Sequence, residues 1–241
     1  MQAQAKKPHT VVTGGSSGIG AAVVQLLLDR GHLVTVFDLQ VPADPNIVFE
    51  QVDVADEASV VRAVEAATAR SGTVTGLVTC HGVRGEFVSA LELDLGRMRR
   101  LIDVHLIGAL SVAREIVRRL AGRSASIVTV SSTTAYGGWV NQADYGTAKA
   151  ALRQLTENLA IEWAPLAVRV NSVAPGFTMT AMVADMVAAG YDLNPAKART
   201  PLGRLATADE VAGSIVHLLC DASFVTGQCL AVDGGWTAVG K

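Results

Sequence analysis

Cysteine is scarce in this chain: Cys80, Cys220 and Cys229 are the only three in 241 residues, and they lie far apart. That excludes a disulfide framework and leaves no Cys-x-x-Cys pair to hold a metal. Free thiols fit a reducing compartment. Met1 to His9 has no apolar core, and no apolar run approaches the length that spans a bilayer. The expectation is a soluble, cytoplasmic protein without a membrane partner. Excess positive charge is also missing, with 20 Lys+Arg against 22 Asp+Glu and a net charge of −2. The one basic stretch, Arg97 to Arg100, is interrupted by Met98, so a nucleic-acid surface is excluded. Repeats, low-complexity segments and linkers are absent too, so residues 1–241 read as one domain.

What is abundant is apolar residues, at 50 %, with charged residues at only 17 %. Such a composition suits central strands covered on both faces. Short β-branched runs at Val11-Val12, Leu33 to Phe37, Ile47 to Phe49, Leu77 to Thr79, Ser126 to Val130, Arg169 to Val173 and Cys229 to Val232 read as seven strands. Helical patterns fall between them at about 18–30, 56–70, 94–121, 145–163 and 208–220. That alternation predicts an α/β fold, a doubly wound parallel seven-stranded sheet with helices on both faces. Asp56-Glu57 and Thr207 to Glu210 signal helix starts, and Gly31 a stop. The stretch at about 178–207 breaks the alternation, being long, apolar and interrupted by Gly190 and Pro195, and reads as a lid over a substrate.

The first strand runs into Thr13-Gly14-Gly15-Ser16-Ser17-Gly18-Ile19-Gly20 and then a helix-compatible segment. Glycines let backbone approach a pyrophosphate, and open N–H groups at a helix start favour its charge. No Lys-Ser/Thr follows, so this is not a P-loop, and the spacing is not the usual Gly-x-Gly-x-x-Gly. Asp38 ends the second strand, where a carboxylate can accept from adenosine ribose hydroxyls and repel a 2′-phosphate. The cofactor expected is therefore NAD(H), with NADP disfavoured. Asp53-Val54, after the third strand, either caps the adenine edge or signals a helix start.

Tyr145 and Lys149 stand at i and i+4 of one helix, on one face, with Ser132 upstream at the end of an apolar run. A phenol titrates near pH 10 in water, and a fixed cation beside it favours the phenolate. Tyr145 so tuned exchanges a proton with an alcohol or alkoxide.

With Thr13-Gly14-x-x-x-Gly18-x-Gly20, Asp53, Ser132, Tyr145-x-x-x-Lys149 and Pro175-Gly176 in order, the chain resembles the single-domain branch of the short-chain dehydrogenase/reductase family over nearly its whole length. The resemblance implies a Rossmann-fold oxidoreductase of the alcohol dehydrogenase or carbonyl reductase type, moving hydride between a nicotinamide and a secondary alcohol or ketone without metal. It implies that Ser132 bonds the substrate oxygen, Tyr145 exchanges the proton, and Lys149 lowers the Tyr145 pKa while holding the nicotinamide ribose. Thr178 and Thr180 would meet the carboxamide beyond Pro175-Gly176. Ser17, Gly18, Ile19 and Gly20 would belong to the cofactor cradle, and Cys80 and Gly82 would approach the cofactor through backbone.

The chain departs from the family twice. Thr79-Cys80-His81-Gly82 stands where the family has Asn-Asn-Ala-Gly, and His105 stands where an asparagine orders a water relay to the lysine. An imidazole donates, accepts and can titrate near neutrality, so His105 is expected to serve that relay. Trp139, Val140, Met179, Met182, Met186 and Val187 flank the family's substrate cleft and favour an apolar or cyclic substrate. Arg84 either meets a carboxylate or is a surface arginine. The short connection from Asp38 to Asp53 resembles that of family members acting on dihydrodiols of ring acids. Apolar residues on more than one face, as in Leu106 to Leu110, together with family habit imply a homotetramer or homodimer. The alternative reading is a catalytically weak nucleotide-sensing protein with the same fold, prompted by the two departures.

Overall fold

The computed structural model describes residues 7–239. Seven strands, β1 His9–Thr13, β2 Leu33–Asp38, β3 Val48–Gln51, β4 Gly76–Thr79, β5 Ala125–Val130, β6 Val168–Pro175 and β7 Cys229–Val232, form one parallel sheet in the order β3-β2-β1-β4-β5-β6-β7. Every residue of β1, β4 and β5 is buried, as expected of central strands covered on both faces. The order reverses between β1 and β4. In such sheets ligands lie beyond the carboxyl ends of the strands at that reversal.

One face packs Val11, Leu77, Ile127 and Val170 against α2 (Glu57–Ser71), α4 (Ala109–Arg118) and α5 (Tyr145–Trp163). The other packs Val12, Val36, Val128 and Val173 against α1 (Gly18–Asp29) and α8 (Ala208–Val216). Caps set the helix starts. Asp56 accepts from the Ala58 N–H at 3.0 Å, and Thr207 and Glu210 form a reciprocal capping box that opens α8. Asp53 therefore does not start α2; its carboxylate takes the Ala55 N–H at 2.9 Å and pairs with Arg100 at 2.9 Å.

The helix expected over 94–121 is broken. It begins as α3 (Leu95–Ile102), widens to π geometry over Asp103–Gly108, and resumes as α4. Gly108 lies so close to Val54 that a side chain there would meet Val54 Cγ2 at 2.8 Å, and the turn on either side is held by contacts from other elements. Isolated π turns of this kind gather at functional sites.

The segment 178–207 contains α6 (Ala181–Ala188) and α7 (Asn194–Arg199) around a small core of Val183, Leu193 and Leu205. Its two ends are tied where Met179 N–H meets the Ala206 carbonyl and Ala206 N–H the Phe177 carbonyl, both at 2.9 Å. An aromatic stack joins it to its surroundings: Trp139 lies on Trp236 at 5.0 Å, Phe177 touches both, and the Arg199 guanidinium covers Trp236 at 4.5 Å. At the opposite, amino-terminal edge of β4 to β6 is a recess of about 490 Å³. Arg169 lines it but directs its guanidinium to the Leu218, Leu219 and Val225 carbonyls and the Ser126 hydroxyl. The groups with chemistry to offer gather at the other end.

Candidate active site

The turn after β1 owes its shape to glycine. Gly14 has φ +66°, its N–H donates to the Phe37 carbonyl at 2.8 Å, and a Cβ there would lie 2.6 Å from the His81 backbone nitrogen. The helix α1 then starts at Gly18, and the preceding Ser17 makes no side-chain cap, so the first-turn amides of Gly18, Ile19 and Gly20 at the positive helix end are left uncapped by a side chain. Asp38 adjoins this turn, accepting from Ser16 N–H at 3.0 Å and Gln40 N–H at 3.1 Å. From the other side Thr180, at the start of α6, brings its methyl within 3.4 Å of where a Gly18 Cβ would be. Glycine turn, acidic strand end and the start of α6 thus lie side by side.

The other part of the site is β5 running into α5. Ser131 Oγ donates to the Lys149 carbonyl at 2.9 Å, and Lys149 Nζ donates to the Val130 carbonyl at 2.8 Å, which locks the strand end to the helix. Ser132 caps a short turn through Thr134 N–H at 3.2 Å. Asp144, buried just before α5, accepts from Tyr145 N–H at 2.6 Å and Glu86 N–H at 2.9 Å. Its position ahead of a helical pattern is an N-cap signal that the sequence reading passed over.

Burial governs the charges. Desolvation presses the Lys149 ammonium down to about 8, which still leaves it largely charged at neutral pH. Desolvation also pushes the Tyr145 phenol up to about 12, with the Ser132 hydroxyl working in the other direction. The expected depression of Tyr145 by Lys149 is not found. The ammonium, 5.6 Å from the Tyr145 ring centroid, is committed to the Val130 carbonyl, and removal from water outweighs its field. Tyr145 here is a protonated donor.

His105 also departs from expectation. It is 2 % exposed, and burial first, then the Lys149 charge, press it down to about 2, so it does not titrate near neutrality. Its Nε2 lies 3.1 Å from the Val83 nitrogen and 2.9 Å from the Val83 carbonyl, and either tautomer of a neutral ring pins Val83. Its ring meets Tyr145 edge-on at 5.5 Å, and its Nδ1 is buried without a partner among the described residues. His81, pressed to about 4 chiefly by burial, bridges Thr13 Oγ1 and, at 3.0 Å, the Val104 carbonyl in the π turn. A carbonyl only accepts, so His81 Nε2 carries the proton and the Thr13 hydroxyl donates to Nδ1. Only the unusual residue at position 81 hints at this second brace in the sequence.

The remaining predicted residues sit as follows. Cys80 hangs from the Thr13 carbonyl by its N–H at 3.0 Å, and burial pushes its thiol up to about 12, which removes thiolate chemistry. Gly82 leaves room for the His105 ring, which a side chain at 82 would strike. Val54 packs on Gly108, while Gly176 follows Pro175 at the end of β6 and donates to the Val232 carbonyl at 3.0 Å. Thr178 Oγ1 turns back to the Gly176 carbonyl at 3.1 Å.

Uncapped helix-start amides, a half-buried strand-end carboxylate near them and a buried ammonium at the carboxyl end of β5 fit a dinucleotide, and Thr79 Oγ1 at the end of β4 and His105 Nδ1 in the π turn are buried without a partner among the described residues. Fold and site together define a nucleotide-dependent oxidoreductase. A family model described as Enoyl-(Acyl carrier protein) reductase matches residues 14–237. The chain is similar to the cis-4-hydroxycyclohexanecarboxylate dehydrogenase of Sinomonas cyclohexanicum, at 39 % identity over 95 % of this chain and 96 % of that one. It is also similar to the cyclohexanol dehydrogenase of an Acinetobacter strain, at 34 % identity over 95 % and 94 %. The ligand-free aldohexose dehydrogenase of Thermoplasma acidophilum superposes with a TM-score of 0.91 at 29 % identity, covering 98 % of this chain and 96 % of its own. The chain belongs to the short-chain dehydrogenase/reductase family, oxidoreductases that use a nicotinamide cofactor.

Proposed function

We propose that the protein is an NAD(H)-dependent dehydrogenase of cyclic secondary alcohols, or equally the reductase of the matching ketones. The observation that carries this is the meeting of Ser132, Tyr145 and a charged, buried Lys149 at the carboxyl end of β5, beside the glycine turn. The ring-alcohol substrate is supported by the two relatives named above for cyclohexane-ring alcohols and by the apolar side chains of Met179 and Met182, 50 % and 42 % exposed where the 178–207 segment begins.

The amides of the Gly14 to Gly20 turn would hold the pyrophosphate, with Ser17 Oγ free to join them. Asp38 would accept from the adenosine ribose hydroxyls, Asp53 and Val54 would border the adenine, Lys149 would hold the nicotinamide ribose, and Thr178 and Thr180 would border the carboxamide. Backbone at Cys80 and Gly82, with Pro175 and Gly176 opposite, completes the walls. When bound, the nicotinamide ring gives or takes the hydride, and its oxidised form adds positive charge to the site. Ser132 Oγ orients the substrate oxygen. Tyr145 Oη donates its proton to that oxygen in reduction and takes it back in oxidation, where added positive charge favours the phenolate. His105 acts as a neutral brace and hydrogen-bonding group beneath Tyr145. Both departures that prompted the binding-only alternative are structural braces, and the catalytic trio is complete.

Assembly as a homodimer or homotetramer through α4, α5 and β7 is part of this reading, supported by Ile107, 49 % exposed in the π turn that leads into α4, and Ile161, 78 % exposed on α5. So is a cytoplasmic location, supported by three free cysteines; among the described residues no helix is long and apolar enough to cross a membrane.

The test is absorbance-monitored oxidation of cyclohexanol with NAD+ and NADP+, by wild type and Asp38→Ser. The expected result is wild-type turnover with NAD+ at least 10-fold above NADP+ in kcat/KM, and a preference that falls toward parity in Asp38→Ser, because the 2′-phosphate is then no longer repelled. Wild-type preference for NADP+ contradicts the cofactor assignment.

A further inference from the structure

We propose that Arg84 recognises an anionic substituent, a carboxylate, on the ring of the substrate; the inference rests on the ring-alcohol reading above. Arg84 belongs to the loop after β4, and both of its flanks are fixed by the side chains that build the site. On one side Gly82 lies against the His105 ring and Val83 is held at its backbone by His105 Nε2. On the other, a Cβ at Gly85 would stand 2.8 Å from Asp144 Oδ1 and 3.0 Å from Tyr145 Cβ, and Glu86 N–H is tied to Asp144 Oδ2 at 2.9 Å. The loop is therefore moulded onto the start of α5, with exposed Arg84 between its two anchored flanks.

Arg84 is among the minority of arginines that have no acidic partner among the described residues. Most of the chain's arginines pair with an acid, as Arg30 does with Asp221, Arg100 with Asp53 and Arg204 with Glu210. Arg84 is exposed and makes no ion pair with a described residue. The two acids closest along this loop are already engaged: Glu86 with Arg97 Nε at 2.8 Å, and Asp144 with two backbone N–H groups. A cation on a rigid mount, left uncompensated, with the 41 %-exposed Val83 beside it, suits a ligand apolar in the middle and acidic at one end. A guanidinium grips a carboxylate through two parallel hydrogen bonds, which fixes direction as well as position. Anchored at the acid by Arg84 and at the hydroxyl by Ser132 and Tyr145, a ring substrate has one face left to present to the hydride. The other anion available to Arg84 is the cofactor's own pyrophosphate, but the amides built for that charge lie across the cleft at Gly14 to Gly20.

Two ligands that cannot be oxidised test this directly. Cyclohexanecarboxylate and the neutral cyclohexanecarboxamide are titrated calorimetrically into the NADH-loaded protein, as wild type, Arg84→Gln and Arg84→Lys, with NADH affinity measured alongside. Wild type should bind the carboxylate at least 10-fold tighter than the amide, Arg84→Gln should erase that ratio, and Arg84→Lys should restore part of it. No wild-type preference, a preference that survives Arg84→Gln, or an Arg84→Gln loss that falls on NADH instead overturns the proposal. The same variants are then assayed on 4-hydroxycyclohexanecarboxylate and cyclohexanol. Turnover of neither by wild type is a failure of the ring-alcohol reading, and the binding ratio still judges Arg84 separately.

Discussion

Lys149 shows most plainly what the site costs the fold. Its ammonium is 4 % exposed, has one carbonyl acceptor and no carboxylate partner, and is pressed from 10.5 down to about 8. Below pH 8 folded and unfolded chains both carry the charge, so the whole desolvation cost is present; between about 8 and 10.5 the unfolded chain binds more protons, and stability rises with pH. Lys149→Met should therefore raise unfolding free energy at pH 7 by about 1–3 kcal/mol in urea titrations while abolishing turnover, with the gain shrinking toward pH 10. An equal or lower stability for the variant would show that the Val130 bond outweighs desolvation. The reverse logic applies at Tyr145, where burial keeps the proton on and so suits the residue to donating it.

At the scale of elements, the two histidines bind the loop after β4 to the π turn between α3 and α4. Both are held neutral, His81 at about 4 and His105 at about 2, against 6.5 when unfolded. Since the unfolded chain binds the extra protons, stability should fall as pH drops from 6.5 toward 4, at up to about 1.4 kcal/mol per pH unit for each histidine. His81→Asn should flatten that slope, measured by urea unfolding at pH 7.5, 6 and 5, even where its overall stability is lower. An unchanged slope removes His81 from the account. Gly82→Ala should cost at least about 2 kcal/mol by driving a methyl into the His105 ring, and His105→Ala in the same chain should recover part of the loss. Additive effects would mean that the two do not meet. The strands and the caps at Asp56 and Thr207 were legible in the sequence because they follow from local chemistry: β-branched runs, an acceptor before a helical pattern, a glycine after one. The break at 103–108 was not, because a π turn needs no special residue, and its causes, Val54 pressing on Gly108 and His81 reaching Val104, come from distant segments. The neutral state of His105 was hidden for the same reason, since burial is a property of the packed molecule.

For the whole molecule, the parallel order with its reversal between β1 and β4 brings the carboxyl ends of β1, β2, β4, β5 and β6 to one edge. Glycine turn, Asp38, His81, Ser132 and Gly176 therefore arrive together from positions far apart in the chain. The ordered motif set let that convergence be read in advance, but not the moulding of the 82–86 loop onto α5. The same arrangement leaves Ile107 and Ile161 outward on helices whose other faces are buried. Light scattering after size exclusion should give a dimer or tetramer, with Ile161→Lys shifted toward monomer; a monomeric wild type rejects the assembly.

The central claim is that Tyr145 moves the proton while the hydride passes to or from a nicotinamide. It is tested most directly by comparing wild type and Tyr145→Phe for oxidation of a cyclic secondary alcohol with NAD+, with NADH affinity measured by fluorescence on the same preparations. The account predicts a fall in kcat of at least about 10³-fold with NADH affinity within about threefold of wild type. Retained turnover in Tyr145→Phe, with binding intact, would contradict it.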